Sequence, residues 1–335
     1  MITTYVLGAG ASFHAGFPFV KDMGRALTEW MLAREGYPSF PFRATVEGLQ
    51  AEFTDLSNIE TFLDNIDNRI RGQAAGYSVF ADVYKPALVQ ALREWFAEIH
   101  QQEQATAYRM LAKKVIRPGD CVITFNYDVS LDRELKRASL WTLGDGYGFR
   151  VDGFETNSPV KLLKLHGSVG WLAGIFNGAM SGVFAVPSGG VFGGRPIFSG
   201  ADLSAVGYRG QADPLFPKGG AAAISPLILP TSQKKFYFDT NLGNMWEPFW
   251  DSLWSAAEKA LGQSERIAIC GYGLFPIDER GCSLLLNRKL SAEIEVCCGS
   301  DTERIVQQLQ SNGRNARPAG EQFFEPWVES KLLCQ

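Results

Sequence analysis

Histidine is scarce in this chain, and its cysteines lack the spacing of a metal site. Only His14, His100 and His166 occur among 335 residues, and the six cysteines (Cys121, Cys270, Cys282, Cys297, Cys298 and Cys334) form no C-x-x-C pair. Neither a zinc ribbon nor a disulfide framework is expected from that pattern in a chain of this length. Most of the cysteines sit in apolar runs and read as reduced core residues. A basic excess is missing too. The net charge is -4, so no broad positive field exists to hold a phosphate backbone, and direct nucleic-acid binding is not expected. No apolar run is long enough for a membrane span, and the first residues enter a strand pattern without the charged start and apolar core of a signal peptide. The expectation is a cytoplasmic protein with no membrane association. No internal repeat is present.

With 46% hydrophobic residues, the chain can bury a full core. Short runs rich in Val, Ile and Leu recur at Tyr5 to Leu7, Cys121 to Phe125, Leu162 to Leu165, Ile267 to Cys270 and Ile294 to Cys297. They are mostly apolar on both faces, as buried parallel strands are. Helical spacing marks Ile59 to Arg71, Pro86 to His100, Gln104 to Lys114, Val129 to Arg137, Met245 to Leu261, Glu279 to Leu290 and Asp301 to Gln310. The alternation predicts an α/β fold with a doubly wound, mostly parallel, Rossmann-like sheet. We expect a single domain over residues 1–335. It would carry a helical insertion at about 36–115, too long for a simple crossover, and a loop-rich region at about 171–220 with short strands.

Four stations along the chain carry residues suited to chemistry. Directly after the first strand run stands Gly8-Ala9-Gly10-Ala11-Ser12, followed by Gly16 and Pro18. Two glycines let a backbone approach a pyrophosphate, and a following helix would aim free N-H groups at it. A third glycine, usual in dinucleotide fingerprints, is replaced by Phe13. The second run delivers Asn126-Tyr127-Asp128, where Asn126 suits ribose hydroxyls or a water and Asp128 suits either a helix N-cap or a ligand. The third delivers His166-Gly167-Ser168; imidazole accepts protons near neutral pH, and Gly167 allows close approach, so His166 is the general-base candidate. The fourth is Gly271-Tyr272-Gly273-Leu274 with Pro276, Asp278 and Glu279, a turn that can reach ribose or phosphate from the opposite side.

Other features have simpler readings. His100 ends a predicted helix and His14 reads as a pocket-edge or surface residue. Asn58-Ile59-Glu60 reads as a helix start, with Glu60, Asp64 and Asp67 as solvated helix charges. Ser225 to Thr231 reads as a strand, followed by a solvated Lys234-Lys235 pair. Trp246, Trp250 and Trp254 form a core or oligomer stripe.

Taken in order, Gly8 to Pro18, Thr124 to Asp128, Lys164 to Ser168 and Gly271 to Asp278 resemble the motifs of the sirtuin superfamily. The resemblance is closer to the sirtuin-like domains of bacterial anti-phage defence proteins than to protein-deacylating sirtuins. It implies an NAD substrate contacted by Gly8, Ala9, Gly10 and Ser12 within the Gly8 to Pro18 segment, with Asn126, Asp128 and His166 as active-site residues. The zinc-binding C-x-x-C pairs of the deacylating enzymes are missing, so no zinc is expected. Their Asp-Phe-Arg after the proline is replaced by Phe19-Val20-Lys21. Water then becomes a plausible acceptor, and the resemblance implies an NAD+ glycohydrolase that depletes NAD during phage infection. A homo-oligomer and a HerA-type ATPase partner are implied by the family alone. Two alternatives stay open: a protein deacylase or ADP-ribosyltransferase using the same pocket, and a non-catalytic module that binds NAD or ADP-ribose.

Overall fold

Six short strands pair in parallel into one sheet, and five of them are almost wholly buried along their length. In the computed structural model they are β1 (Thr3–Leu7), β2 (Cys121–Thr124), β3 (Lys161–Lys164), β4 (Arg266–Cys270), β5 (Glu293–Cys297) and β6 (Ala316–Pro318). The structure describes residues 2–34, 36–37, 40–72, 78–102, 104–149, 155–176, 197–198, 221–224, 243–286 and 290–333. The spatial order is β6-β5-β4-β1-β2-β3. This is the doubly wound arrangement expected from the alternation of apolar runs and helices. Its topological switch point lies between β1 and β4, where successive connections diverge and leave a crevice at the strands' carboxyl ends.

Register decides where the strands end. Leu7 pairs with Thr124 on one side and Cys270 on the other, Thr124 pairs with Lys164, and Cys270 with Cys297. The four strands β1 to β4 therefore end level, and the residues after them emerge along one edge.

Strand β6 has no counterpart among the strands expected from the sequence. It is only three residues long and contains Pro318, which has no N-H to give a ladder and is tolerated because β6 is the sheet edge.

The long connection between β1 and β2 is largely helical. It holds the helices Val20–Leu32, Phe42–Glu52, Ile59–Arg71, Lys85–Gln102 and Thr106–Met110. Phe42–Glu52 lies within the helical insertion expected at about 36–115, whereas Val20–Leu32 and the C-terminal Phe324–Leu333 carried no helix expectation. Ile59–Arg71 begins where Asn58 predicts, its Oδ1 accepting from the amides of Glu60 at 3.0 Å and Thr61 at 3.2 Å. Two of its acids are not solvated charges. Asp67 is buried and bonded to Lys85 at 2.6 Å, and Glu60 faces the crevice at the switch point. In both cases the helix face that carries the acid is turned inward by its packing, which residue spacing alone did not reveal.

Beyond β3, the described residues include three short antiparallel strands, Trp171–Phe176, Ile197–Phe198 and Ala221–Ile224. The rest of the loop-rich region lies outside the described residues, as do the Ser225 to Thr231 segment, Lys234, Lys235 and Cys334. Trp250 and Trp254, on the helix Gly243–Gln263, are core residues, as their four-residue spacing suggested; the side chain of Trp246 is outside the described set. Among the described residues, no helix is long and apolar enough to cross a membrane.

Candidate active site

The two glycine turns lock together at the switch point. The Gly8 amide donates to Cys270 O at 3.0 Å, and the Gly10 amide donates to Gly271 O at 3.1 Å. A Cβ on Gly8 would stand 2.5 Å from Gly271 O, and one on Gly271 would stand 2.3 Å from Ala11 N. These glycines are required by backbone-to-backbone packing, which sets the distance between the ends of β1 and β4. The Gly8 and Gly10 amides are thus bonded within the protein, and the N-H groups expected to face a phosphate are those of the helix that follows. The expected helix after the turn is short. Ala9–Ser12 makes a single turn, and after a 3-10 turn the chain reverses at Gly16 with φ 91°, so the next helix starts only at Val20.

Replacing Gly271 by Ala therefore combines a steric conflict with a left-handed backbone, since its φ is +65°. We expect a loss of about 2–5 kcal/mol in folding stability, read from urea denaturation. A Gly119→Ala control, also at positive φ but with no atom within 4 Å of its Cβ position, should lose only the backbone part.

Beneath the turn lies a closed polar network. The Asn126 Nδ2 donates to Gly8 O at 2.9 Å and to Ser12 Oγ at 2.8 Å. Because a carbonyl oxygen only accepts, that contact fixes which end of the carboxamide is the amine. Ser12 Oγ donates to Asp128 Oδ2 at 2.6 Å and meets the Tyr108 hydroxyl at 2.8 Å. With its one proton on Asp128, Ser12 must accept from both Asn126 and Tyr108, and its hydroxyl has no bonding capacity left for a cofactor. Burial and the nearby Asp128 push the Tyr108 hydroxyl well above its ordinary pKa, which keeps it a donor. Asp128 is not the N-cap of the helix Ser130–Arg137, whose cap position is Val129; it stands one residue earlier and braces the helix start, its Oδ1 accepting from the Ser130 amide at 3.0 Å. The Oδ1 of Asn126 has no hydrogen-bond partner among the described residues, and Asn126 lines the crevice. This oxygen can hold a water or a ribose hydroxyl.

A buried ion pair supports the same loop. Lys164, at the end of β3, bonds the Asp128 carbonyl and lies 3.1 Å from Asp132 Oδ2, and the Tyr147 hydroxyl donates to Asp132 Oδ1.

His166 follows β3 and is nearly buried. Its Nε2 lies 3.2 Å from Asp278 Oδ2. The ring meets Phe125 edge-on at 5.0 Å, and Phe125 in turn stacks on Tyr272 at 3.9 Å with 7° between planes. The Tyr272 hydroxyl donates to Asp278 at 2.7 Å, and burial followed by the Asp278 charge raises its pKa well above normal. At the same turn, burial pushes the Cys298 thiol up to about 12, so it remains a thiol rather than a nucleophilic thiolate at neutral pH.

These groups surround one cleft of about 770 Å³, counted with its open mouth. Of the expected site residues, Gly8, Ala9, Ser12, Pro18, Asn126, Asp128, His166, Gly271 and Tyr272 line it, whereas Gly10, Gly16 and Gly167 do not. Phe17, Met23, Glu60 and Phe96 come to it from the β1–β2 connection, so that connection forms part of the wall. The other histidines stand apart. His14 packs on Tyr108 and Phe324. His100 stands in the last turn of the helix Lys85–Gln102, as expected, and is buried there, with Nε2 accepting from the Val129 amide at 3.1 Å.

Sequence reasoning gave Asp278 no separate role and passed over Tyr108, Phe96 and Phe125. Asp278 had a readable signal, a carboxylate just before a helix in a strand-end loop. Tyr108 and Phe96 had none, because their places depend on how helices far along the chain pack.

No family model matches the chain, and no curated protein sequence matches it. Its structure is similar to solved Sir2 structures at low identity. One, described as a structural basis for the mechanism and regulation of Sir2 enzymes, is 13% identical over 99% of this chain and 93% of its own, with a TM-score of 0.45. A Sir2 homologue–NAD complex is 12% identical over 99% of this chain and 90% of its own, with a TM-score of 0.46. A Sir2 bound to acetylated peptide is 13% identical, covering 98% and 90%, with a TM-score of 0.40.

Proposed function

We propose that the cleft binds NAD+ and hydrolyses it to nicotinamide and ADP-ribose. The observation that carries this reading is the convergence, at one switch point, of the Gly8 and Gly271 turns with Asn126 and His166 in a single cleft. Doubly wound sheets bind dinucleotides at that place. In the reaction the glycosidic C–N bond breaks and nicotinamide leaves with the bonding electrons. The ribose carbon takes a bond from water, and the water's proton passes to His166. Asn126 Oδ1 orients the water or a ribose hydroxyl. Positive charge on the ribose develops beside the Asp128 carboxylate in a largely apolar wall, where preorganised dipoles and charges act most strongly. Hydrolysis is favoured over transfer to a protein because the chain lacks the paired cysteines of the deacylating enzymes. On the sequence resemblance, we further propose that this activity depletes NAD in anti-phage defence, within an oligomer bound to a HerA-type ATPase.

The test is incubation of the purified chain with NAD+, with and without an acylated peptide and with and without extract of phage-infected cells. Nicotinamide release that needs no peptide, and that falls at least about a hundredfold in His166→Ala, is the expected result. Release only in the presence of the peptide would replace hydrolysis by deacylation or transfer. NAD+ binding without turnover under every condition would leave a binding module.

A further inference from the structure

The three histidines are held by partners of different kinds, and those partners dictate where each ring carries its proton. His14 Nδ1 is 2.8 Å from Ala11 O, and a carbonyl only accepts, so the proton is on Nδ1. His100 Nε2 accepts from the Val129 amide, so again the proton is on Nδ1. His166 is the reverse case, because its Nε2 faces the Asp278 carboxylate at 3.2 Å, and a carboxylate accepts. Asp278 is itself held from two further directions. Its Oδ2 accepts from the Tyr272 hydroxyl, and its Oδ1 accepts from the Gly281 amide at 3.2 Å in the first turn of the helix Glu279–Leu286. The carboxylate reaches His166 across the switch point, from the loop after β4 to the loop after β3.

We propose that Asp278 is a positioning residue that fixes His166 as the Nε2–H tautomer and so assigns the lone pair, and the role of proton acceptor, to Nδ1. The pairing stands on the geometry alone; its consequence for turnover rests on the NAD-cleaving reading. An imidazole whose second nitrogen is hydrogen-bonded to a carboxylate keeps one ring orientation and one tautomer, and the carboxylate stabilises the imidazolium that forms when the ring takes a proton. Asp278→Asn separates these effects from folding. Asparagine caps a helix as well as aspartate does; with its one oxygen kept on the Gly281 amide, its NH2 stands where Oδ2 was, donates to the Tyr272 hydroxyl instead of accepting from it, and presents an N-H to Nε2 that inverts the tautomer.

The experiment is long-range proton–nitrogen NMR on the full chain labelled with ¹⁵N-histidine, recorded at alkaline pH where the rings are neutral. The expected wild-type spectrum shows two Nδ1–H rings and one Nε2–H ring, the last disappearing in His166→Ala. In Asp278→Asn that ring should switch to Nδ1–H, with kcat for NAD+ cleavage falling roughly a hundredfold or more and KM little changed; Asp278→Glu should recover part of the loss. A wild-type His166 in the Nδ1–H form overturns the proposal. So does an unchanged tautomer in Asp278→Asn, or a switched tautomer with unchanged kcat. A wild-type protein that cleaves no NAD+ would overturn the functional reading, while the wild-type and Asp278→Asn spectra still decide the pairing.

Discussion

Lys164→Met is expected to lower folding stability by about 3–5 kcal/mol, the cost of leaving one member of a buried ion pair behind. Lys164 and Asp132 have side chains only 1% exposed, so neither is screened by solvent. Removing the ammonium leaves the Asp132 carboxylate with only the Tyr147 hydroxyl among the described residues, and it deprives the Asp128 carbonyl of its donor. The loss should come from the uncompensated charge rather than from missing bulk, because methionine fills nearly the same volume. Lys164→Met with Asp132→Leu therefore should regain a large part of the stability, since a pair replaced by apolar groups costs far less than a broken one. Urea denaturation of the two single variants and the double variant checks this. A single variant within 1 kcal/mol of wild type, roughly the scale of an exposed pair, would contradict the account, as would a double variant less stable than either single one.

The second large effect concerns Asn126, where structural and chemical roles meet in one side chain. Asn126→Ala removes the donor to Gly8 O and Ser12 Oγ, which should cost about 1–3 kcal/mol of stability. It also removes the Oδ1 that faces the cleft, so NAD+ cleavage should fall at least about a hundredfold. Asn126→Asp is the sharper test. Aspartate has the same shape and keeps an oxygen toward the cleft, but it sets a second acceptor against Gly8 O, which has no proton to offer. Asn126→Asp should thus be less stable than Asn126→Ala, the opposite of what size alone dictates. Thermal or urea unfolding beside the turnover assay gives both readouts. An Asp variant as stable as wild type would show that the carboxamide does not bind the Gly8 turn.

Much of this framework was legible in the sequence because it depends on local signals. Five of the six central strands are short apolar runs, which only a sheet covered on both faces can bury, and their parallel pairing follows from the helices between them. The places of Asn126, His166 and the Gly271 turn follow from the same runs, since each stands directly after one. The glycine turn was legible as a close approach, but not what approaches it. The spacing that suits a pyrophosphate suits equally the backbone of Gly271, and the amides of Gly8 and Gly10 are bonded to that neighbour and to Cys270 beside it. The Ser12 hydroxyl was hidden for a similar reason. Its saturation depends on Tyr108, 96 residues along the chain, and no periodicity connects them. Asp67 and Glu60 differ from expectation because helical spacing says which residues share a face but not which face turns inward.

The central claim is that the cleft beside the two locked glycine turns transfers the ADP-ribosyl group of NAD+ to water. Its most direct test is cleavage of NAD+ by the full chain in ¹⁸O-enriched water, with mass analysis of the ADP-ribose formed. The expected result is one ¹⁸O at the anomeric carbon, established before exchange at that position, with at least about a hundredfold less labelled product from Asn126→Ala or His166→Ala. ADP-ribose found on an acyl group or a protein side chain, or full activity in both variants, would contradict it.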